Sequence, residues 1–420
     1  MQLYFSGRLS QYLLLLACLA GIAGLLASRA LIAIAPVVGV VAALTNPDIL
    51  RALPNYYRNG AAMRAAAVVA FLLLSGFYTS EWPVWRHELF RDLTWLAVPL
   101  AFTLAVPLAG GQRLAVGAAF VLATTAVGLA TLAHYFLDPA AANAAIHIGQ
   151  NMPAITHLFH IAFGVMLALA FFGGLVLRRQ ALAGPMLRGA LVAAAVAAAL
   201  TLHILAYRTG LLVLYSGLLA VAVRLLARRH LRWGLAVLAL LAVGPWLAYH
   251  TLPSVRERLN GTVWDIHQYT EGRDINNYSV ARRLAAIETA GAIIGQHWLL
   301  GVGPADTRTA LMAQYAWRDL GLRPENRVEV HNQYLQALLG GGLVGLALLL
   351  ALLFWPFTQA WARRDALLGL FLWVQATAML VDAVLDLQIG LNLFVFGYGF
   401  LVVAGENRAR LQAANAPAKN

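Results

Sequence analysis

The chain has 420 residues, of which 61% are hydrophobic and only 11% charged, with a net charge of +12 and a mean hydropathy of +0.71. Soluble domains run near 45–50% apolar with roughly a quarter charged, so a soluble globular enzyme, a disordered chain, a coiled coil and a disulfide scaffold are excluded. The lone cysteine, Cys18, lies in an apolar run and permits no intramolecular disulfide. What remains is an all-α polytopic membrane protein.

Crossing about 30 Å of hydrocarbon takes roughly 20 apolar residues. In chain order, spans are predicted over 11–27, 30–45, 65–79, 93–109, 114–136, 154–177, 188–206, 210–226, 233–250, 333–354, 366–384 and 387–403. The first runs into further helix without a small-x-small cleavage site, so it reads as a retained span. Twelve spans put both termini on one side. Residues 1–250 then hold nine helices, 251–330 form one large loop, 331–403 hold three helices, and 404–420 are a tail. The tail from Glu406 onwards reads as disordered.

Charge sets the orientation. With the N-terminus inside, the inner segments hold 17 of the 30 basic residues and three acids, an excess of +14. The outer segments hold 13 of each sign, and Asp382 and Asp386 at the last outer hairpin supply the remaining −2. Positive-inside bias therefore predicts cytoplasmic termini. The pI near 10.2 is a topology signal and gives no reason to expect nucleic acid.

Most of the polar chemistry sits in the loop 251–330, whose length marks it as functional or disordered. It is not low in complexity. Leu284, Ile287, Gly291 and Ile294 recur at helical spacing after Ser279, which predicts a membrane-surface helix with Ser279 as its N-cap.

Four groups of residues are candidates for chemistry. His331 opens the tenth span at the predicted outer surface, where an imidazole suits a general base and also suits a plain helix-terminal polar residue. Asn332 follows it, and Gly340, Gly341 and Gly342 allow close packing or a kink. Arg208 lies in a tight outer turn, where a guanidinium fits a phosphate or else pairs with Asp382 or Asp386. Arg282 and Arg283 open the loop helix and point in different directions, so one of them faces inward or both are solvated. Asp382 and Asp386 share a face if their helix is continuous. His157 and His160 have no companions for a zinc site, and no Walker or GxGxxG loop is present. Energy must come from an activated substrate or a gradient.

Three stretches resemble the O-antigen ligase and polymerase superfamily of the bacterial envelope. They are Tyr207-Arg208-Thr209-Gly210; Arg282-Arg283-Leu284 followed by Leu299-Leu300-Gly301-Val302-Gly303-Pro304; and His331-Asn332 with Gly342 ten residues after Asn332. The spacing back from Gly301 aligns the family arginine with Arg283. Ile287 stands where an aromatic is common, and Trp298 where a proline is usual.

The resemblance implies a multi-pass glycosyltransferase architecture of the GT-C kind in the inner membrane, with its site facing the periplasm. It implies transfer of a polysaccharide from undecaprenyl diphosphate to a sugar hydroxyl of the lipid A core. His331 would be the base, and Arg208, Arg283 or Arg282 would hold the diphosphate. Asn332, Gly342, Asp382 and Asp386 would support them. The anomeric centre would invert, with no metal, nucleotide or other cofactor expected. A lateral opening near the loop would admit the two lipids. A polymerase, or a transferase acting on protein, is the nearest alternative. A secondary transporter would need inverted repeats and midplane polar residues.

Overall fold

A computed structural model describes residues 1–147, 152–318 and 320–414, and these form a helical bundle capped at one end by a small helical layer. The N-terminal half contributes α1 (Arg8–Ala27), α2 (Arg29–Leu44), α3 (Ile49–Arg58), α4 (Gly60–Ser75), α5 (Trp82–Asp92), α6 (Thr94–Leu104) and α7 (Gly110–Leu137). Then come α8 (His160–Leu177), α9 (Pro185–Ile204), α10 (Arg208–Ala227) and α11 (Leu231–Thr251). The cap consists of α12 (Pro253–Thr270), α13 (Ser279–Gln296) and α14 (Thr307–Trp317). The bundle is completed by α15 (Gln333–Phe354), α16 (Ala366–Ala378), α17 (Gln388–Gly397) and α18 (Ala404–Ala414).

Each of the twelve predicted spans contains a helix, but their lengths differ. Among the described residues, eight helices are long and apolar enough to cross a membrane, and α3 with α4 adds a ninth as a pair bent by 75°. The bend follows from Asn59, whose side chain accepts from the Ala62 amide and restarts the helix. The remaining predicted spans are shorter: α2 has 16 residues, α6 has 11 and α16 has 13. In α6 the predicted run to 109 stops at Leu104, whose carbonyl accepts from Asn46 Nδ2 at 2.6 Å. In α16 it stops at Ala378, which frees the next residues to turn toward α15.

The tail is a second correction. Residues 404–414 are helical, and Glu406 is pinned by the Gly60 amide at 2.7 Å and the Ala61 amide at 3.0 Å. A carboxylate on the exposed amides of a helix N-terminus is favourable, and hydropathy gives no hint of it.

The cap has its own core, in which Ile275, Ala281, Ala285, Ala290, Leu311 and Tyr315 pack against Leu339 of α15. Small residues on α13 let its neighbours approach closely. The buried face is therefore the alanine face, and Leu284 and Ile287 point elsewhere. Ser279 does not cap α13: the Val280 amide donates to Asp265 Oδ2 of α12 at 2.8 Å. A long-range carboxylate has taken the role predicted for the local hydroxyl.

One contact locks cap to bundle. Gly342, at φ 56° and ψ −152°, breaks α15, and the chain from Trp298 to Gly303 runs alongside the break. There the Val302 amide donates to the Leu339 carbonyl at 2.9 Å and the Gly303 amide to the Gly340 carbonyl at 3.0 Å, while the Leu343 amide donates to the Trp298 carbonyl at 2.9 Å. Position 298 takes part in this contact through its backbone carbonyl.

Candidate active site

A cavity of about 670 Å³ lies between the cap and the ends of α8, α9, α10 and α11. Its polar lining is His331, Arg208, Arg258 and Arg283, joined by His160 and by His203 paired with Tyr215 at 2.6 Å. Leu211, Leu212, Pro245 and Ile287 make much of the remaining wall apolar.

His331 sits one residue ahead of the cap of α15. Asn332 is the cap: its Oδ1 accepts from the Leu335 amide at 3.0 Å, and its Nδ2 donates to the Leu380 carbonyl at 2.9 Å. The Gln333 amide donates to the Met379 carbonyl at 2.8 Å, so the segment after α16 is stitched to the start of α15. That stitching brings Asp382 to His331, with Nδ1 and Oδ1 2.8 Å apart. An ionised carboxylate only accepts, so Nδ1 carries the proton and donates it. Nε2 is left with its lone pair available. Asp382 has only 5% of its side chain exposed, and its Oδ2 has no hydrogen-bond partner among the described residues.

The arginines come from three elements. Arg208 at the start of α10 donates from Nη1 to Thr262 Oγ1 at 3.0 Å. It pairs with neither Asp382 nor Asp386. Arg283 donates to the Val381 carbonyl at 3.2 Å and faces the cavity, whereas Arg282 turns to Asn326 Oδ1 at 3.1 Å, away from it. Burial lowers the pKa of Arg283; Asp382 opposes this, while Arg208 and Arg282 add to it. Arg258, with 4% of its surface exposed, is pushed down to about 10 by burial and by Arg208. Cations that depress one another in a partly apolar cavity form a site that gains from an anion.

Arg258 is the residue that sequence reasoning passes over. Its signal is a polar stripe at helical spacing on α12: Ser254, Arg258, Thr262 and Asp265. Ser254 bonds the Ile204 carbonyl at 2.7 Å, Thr262 holds Arg208, and Asp265 caps α13.

Asp386 belongs elsewhere. The helix is not continuous from 382 to 386, so the two carboxylates do not share a face: Asp386 lines a separate cavity of about 150 Å³ with Glu88, Arg91 and Asp92. Burial raises its pKa to about 7; Arg91 opposes and Glu88 adds to the rise. Glu88 and Asp92 are raised as well, again chiefly by burial. Because the folded-state value lies above the ordinary 3.8, the stability contributed is present below about pH 4 and is lost as pH rises through about 7. Melting of the purified protein is expected to fall between about pH 4 and 7, and Asp386→Asn is expected to reduce that fall. An unchanged slope in the variant would count against this assignment.

Fold and site together define a polytopic membrane protein with a polar, arginine-lined cavity at one end of its bundle. Residues 193–350 match the family model described as O-antigen ligase, and the match covers Arg208, Arg258, Arg283, His331 and Gly342. This part of the chain is therefore similar to the O-antigen ligase family. No curated protein matches the sequence.

Proposed function

We propose that the protein is an O-antigen ligase that moves a polysaccharide from undecaprenyl diphosphate to a sugar hydroxyl of the lipid A core. The observation that carries this reading is the His331–Asp382 pair opening onto the same cavity as Arg208, Arg258 and Arg283. Nε2 of His331 takes the proton of the acceptor hydroxyl as its oxygen attacks the anomeric carbon. The bond from that carbon to the phosphate oxygen breaks, and the electron pair leaves with the diphosphate. Arg208 and Arg283 stabilise the charge that develops there, and Arg258 adds to the field. Single displacement inverts the anomeric centre. The donor carries its own leaving group, so the reaction needs no nucleotide.

The positive-inside charge bias supports a position for this cavity on the periplasmic side of the inner membrane. α11 lies at the edge of the bundle, with few of its residues buried, and lines this cavity through Pro245 and Ala248, which supports approach of long-tailed lipids from its side.

The test uses cells lacking the gene, complemented with wild type, Arg208→Ala or Arg283→Ala at equal expression. Wild type is expected to restore polymer-capped lipopolysaccharide, and each variant to lose at least about nine-tenths of it. Full capping by either variant would remove that arginine from the mechanism. If wild type instead lengthens the glycan on its carrier lipid without capping, the polymerase reading replaces the ligase.

A further inference from the structure

A second cavity, of about 700 Å³, lies on the cap and is lined by Tyr269, Arg273, Asp274, Asn276 and Glu288 among others. None of these residues lines the reaction cavity. The two cavities differ in chemistry. Around the reaction cavity, arginines crowd together and their field favours an anion. Here the charges are matched locally: Arg273 pairs with Glu271 at 2.5 Å, and Glu288 is held by Arg318 and by the Tyr269 hydroxyl. A site with paired charges, carboxylate acceptors and a tyrosine ring suits a hydroxyl-rich, uncharged ligand. Its hydroxyls donate to carboxylates, and its apolar face rests on the ring.

The floor of this cavity is built before any ligand arrives. Asn276 is buried and fully engaged: its amide and its Nδ2 donate to Asp274 Oδ1 at 2.9 and 2.6 Å, and Nδ2 also reaches the Gly321 carbonyl at 2.8 Å. Its Oδ1 accepts from the Arg323 amide at 2.9 Å and from Asn326 Nδ2 at 3.0 Å. These bonds from Asn276 hold the Asp274 carboxyl below its ordinary value, so it remains an acceptor.

The same two helices carry both cavities. On α12, Arg258 and Thr262 face the reaction cavity and Tyr269 faces the second one, about 10 Å further along the helix from Thr262. On α13, Arg283 faces the first and Glu288 the second. Asn326 joins them from behind, bonding Asn276 on one side and Arg282, the neighbour of Arg283, on the other. The two cavities therefore lie along one hairpin, with the Asp265–Val280 contact between them.

We propose that the second cavity is a saccharide-binding subsite that holds the donor's glycan chain beyond the sugar being transferred. The assignment rests on the proposed transferase reading for its ligand and on the cavity's own geometry for its place. The subsite selects long donors over short ones, because only a long chain reaches both cavities at once.

The experiment uses the full-length protein in nanodiscs with two synthetic polyprenyl diphosphate donors, one bearing a single repeat unit and one bearing several. Tyr269→Ala/Asp274→Ala is expected to raise KM for the long donor about tenfold and to leave the short donor unchanged. Asp274→Asn, which keeps the side-chain shape, is expected to change KM in the same direction by less. Equal losses on both donors, no change on either, or a change confined to the acceptor's KM would each overturn the proposal. If the wild-type protein transfers neither donor, the transferase reading fails by itself. The subsite is then judged by saturation-transfer NMR with the free oligosaccharide. Signal in wild type that is lost in Tyr269→Ala/Asp274→Ala keeps the subsite, and no signal in wild type or an unchanged signal in the double variant removes it.

Discussion

Exchange of His331 for alanine is expected to lower kcat for glycan transfer by about 10²- to 10⁴-fold, with little change in KM for the lipid-linked donor. The fold-change corresponds to about 3–5 kcal/mol of lost transition-state stabilisation. The expectation follows from the division of labour in the cavity. The arginines that would bind the diphosphate come from α10, α12 and α13, while His331 comes from the start of α15 and touches none of them in the hydrogen bonds it makes. Removing the imidazole should therefore spare binding and remove proton transfer. Asp382→Asn should act through His331. The amide offers no ionised acceptor to Nδ1–H, so the tautomer with a free Nε2 lone pair is no longer enforced, and kcat should fall with donor KM held. Purified variants with wild-type melting behaviour, assayed over a range of donor concentrations, separate the cases. Turnover within threefold of wild type for His331→Ala would end its role as base, and a loss confined to KM would make it a binding residue.

Much of this site is legible in the amino-acid sequence, for a physical reason. A histidine or an arginine beside an apolar span is costly unless it has a job or a partner, so Arg208 and His331 stand out against a chain that is only 11% charged. Arg283 is singled out only by its spacing from Gly301 in the family resemblance. The partners are harder to read because they depend on contacts between distant segments. His331 meets Asp382 only because Asn332 and Gln333 tie the turn after α16 to the start of α15. That pairing needs the predicted span at 366–384 to end early, and hydropathy extends a helix wherever apolar residues continue. The same cause misplaces Asp386, since the shared face of two residues four apart exists only on an unbroken helix. Arg258 escapes because a search for apolar periodicity in α12 passes over its polar stripe, and there the polar face is the buried one.

The helices themselves are legible from composition, whereas their ends are set by side chains from elsewhere. Asn46 stops α6, Asp265 starts α13, and Glu406 holds the N-terminus of α4 from a segment whose composition suggests disorder. Capping at a distance leaves no local signature, so composition and periodicity cannot register it.

Gly342→Ala is expected to destabilise the protein by about 3–6 kcal/mol, a large structural effect for a single methyl group. Two terms add. The backbone at φ 56° and ψ −152° is open to glycine and costs other residues about 1–3 kcal/mol. The new Cβ would also lie 2.2 Å from the Leu299 carbonyl carbon and 2.3 Å from its oxygen. Backbone atoms cannot swing aside as a side-chain tip does, so the 298–303 segment must move and strain the three hydrogen bonds that join it to α15, each worth about 1 kcal/mol. Gly301 interlocks from the other side, with φ 69° and a virtual Cβ 2.5 Å from the Gly340 carbonyl carbon. The two glycine motifs are thus the two halves of one joint. The nine residues from Gln333 to Gly341 are the half-helix between that joint and His331, about 13–14 Å long. The spacing from histidine to glycine therefore measures how far His331 stands from the point where cap and bundle are fastened. Gly291→Ala and Gly295→Ala in α13, where a Cβ meets nothing within 4 Å, should be neutral or slightly stabilising and serve as controls. Thermal unfolding of the three variants in detergent provides the comparison. Gly342→Ala melting with the controls would show that the break in α15 is not required by the fold. Melting far below them, with activity lost in proportion to the folded fraction, would place Gly342 in the joint and outside the chemistry.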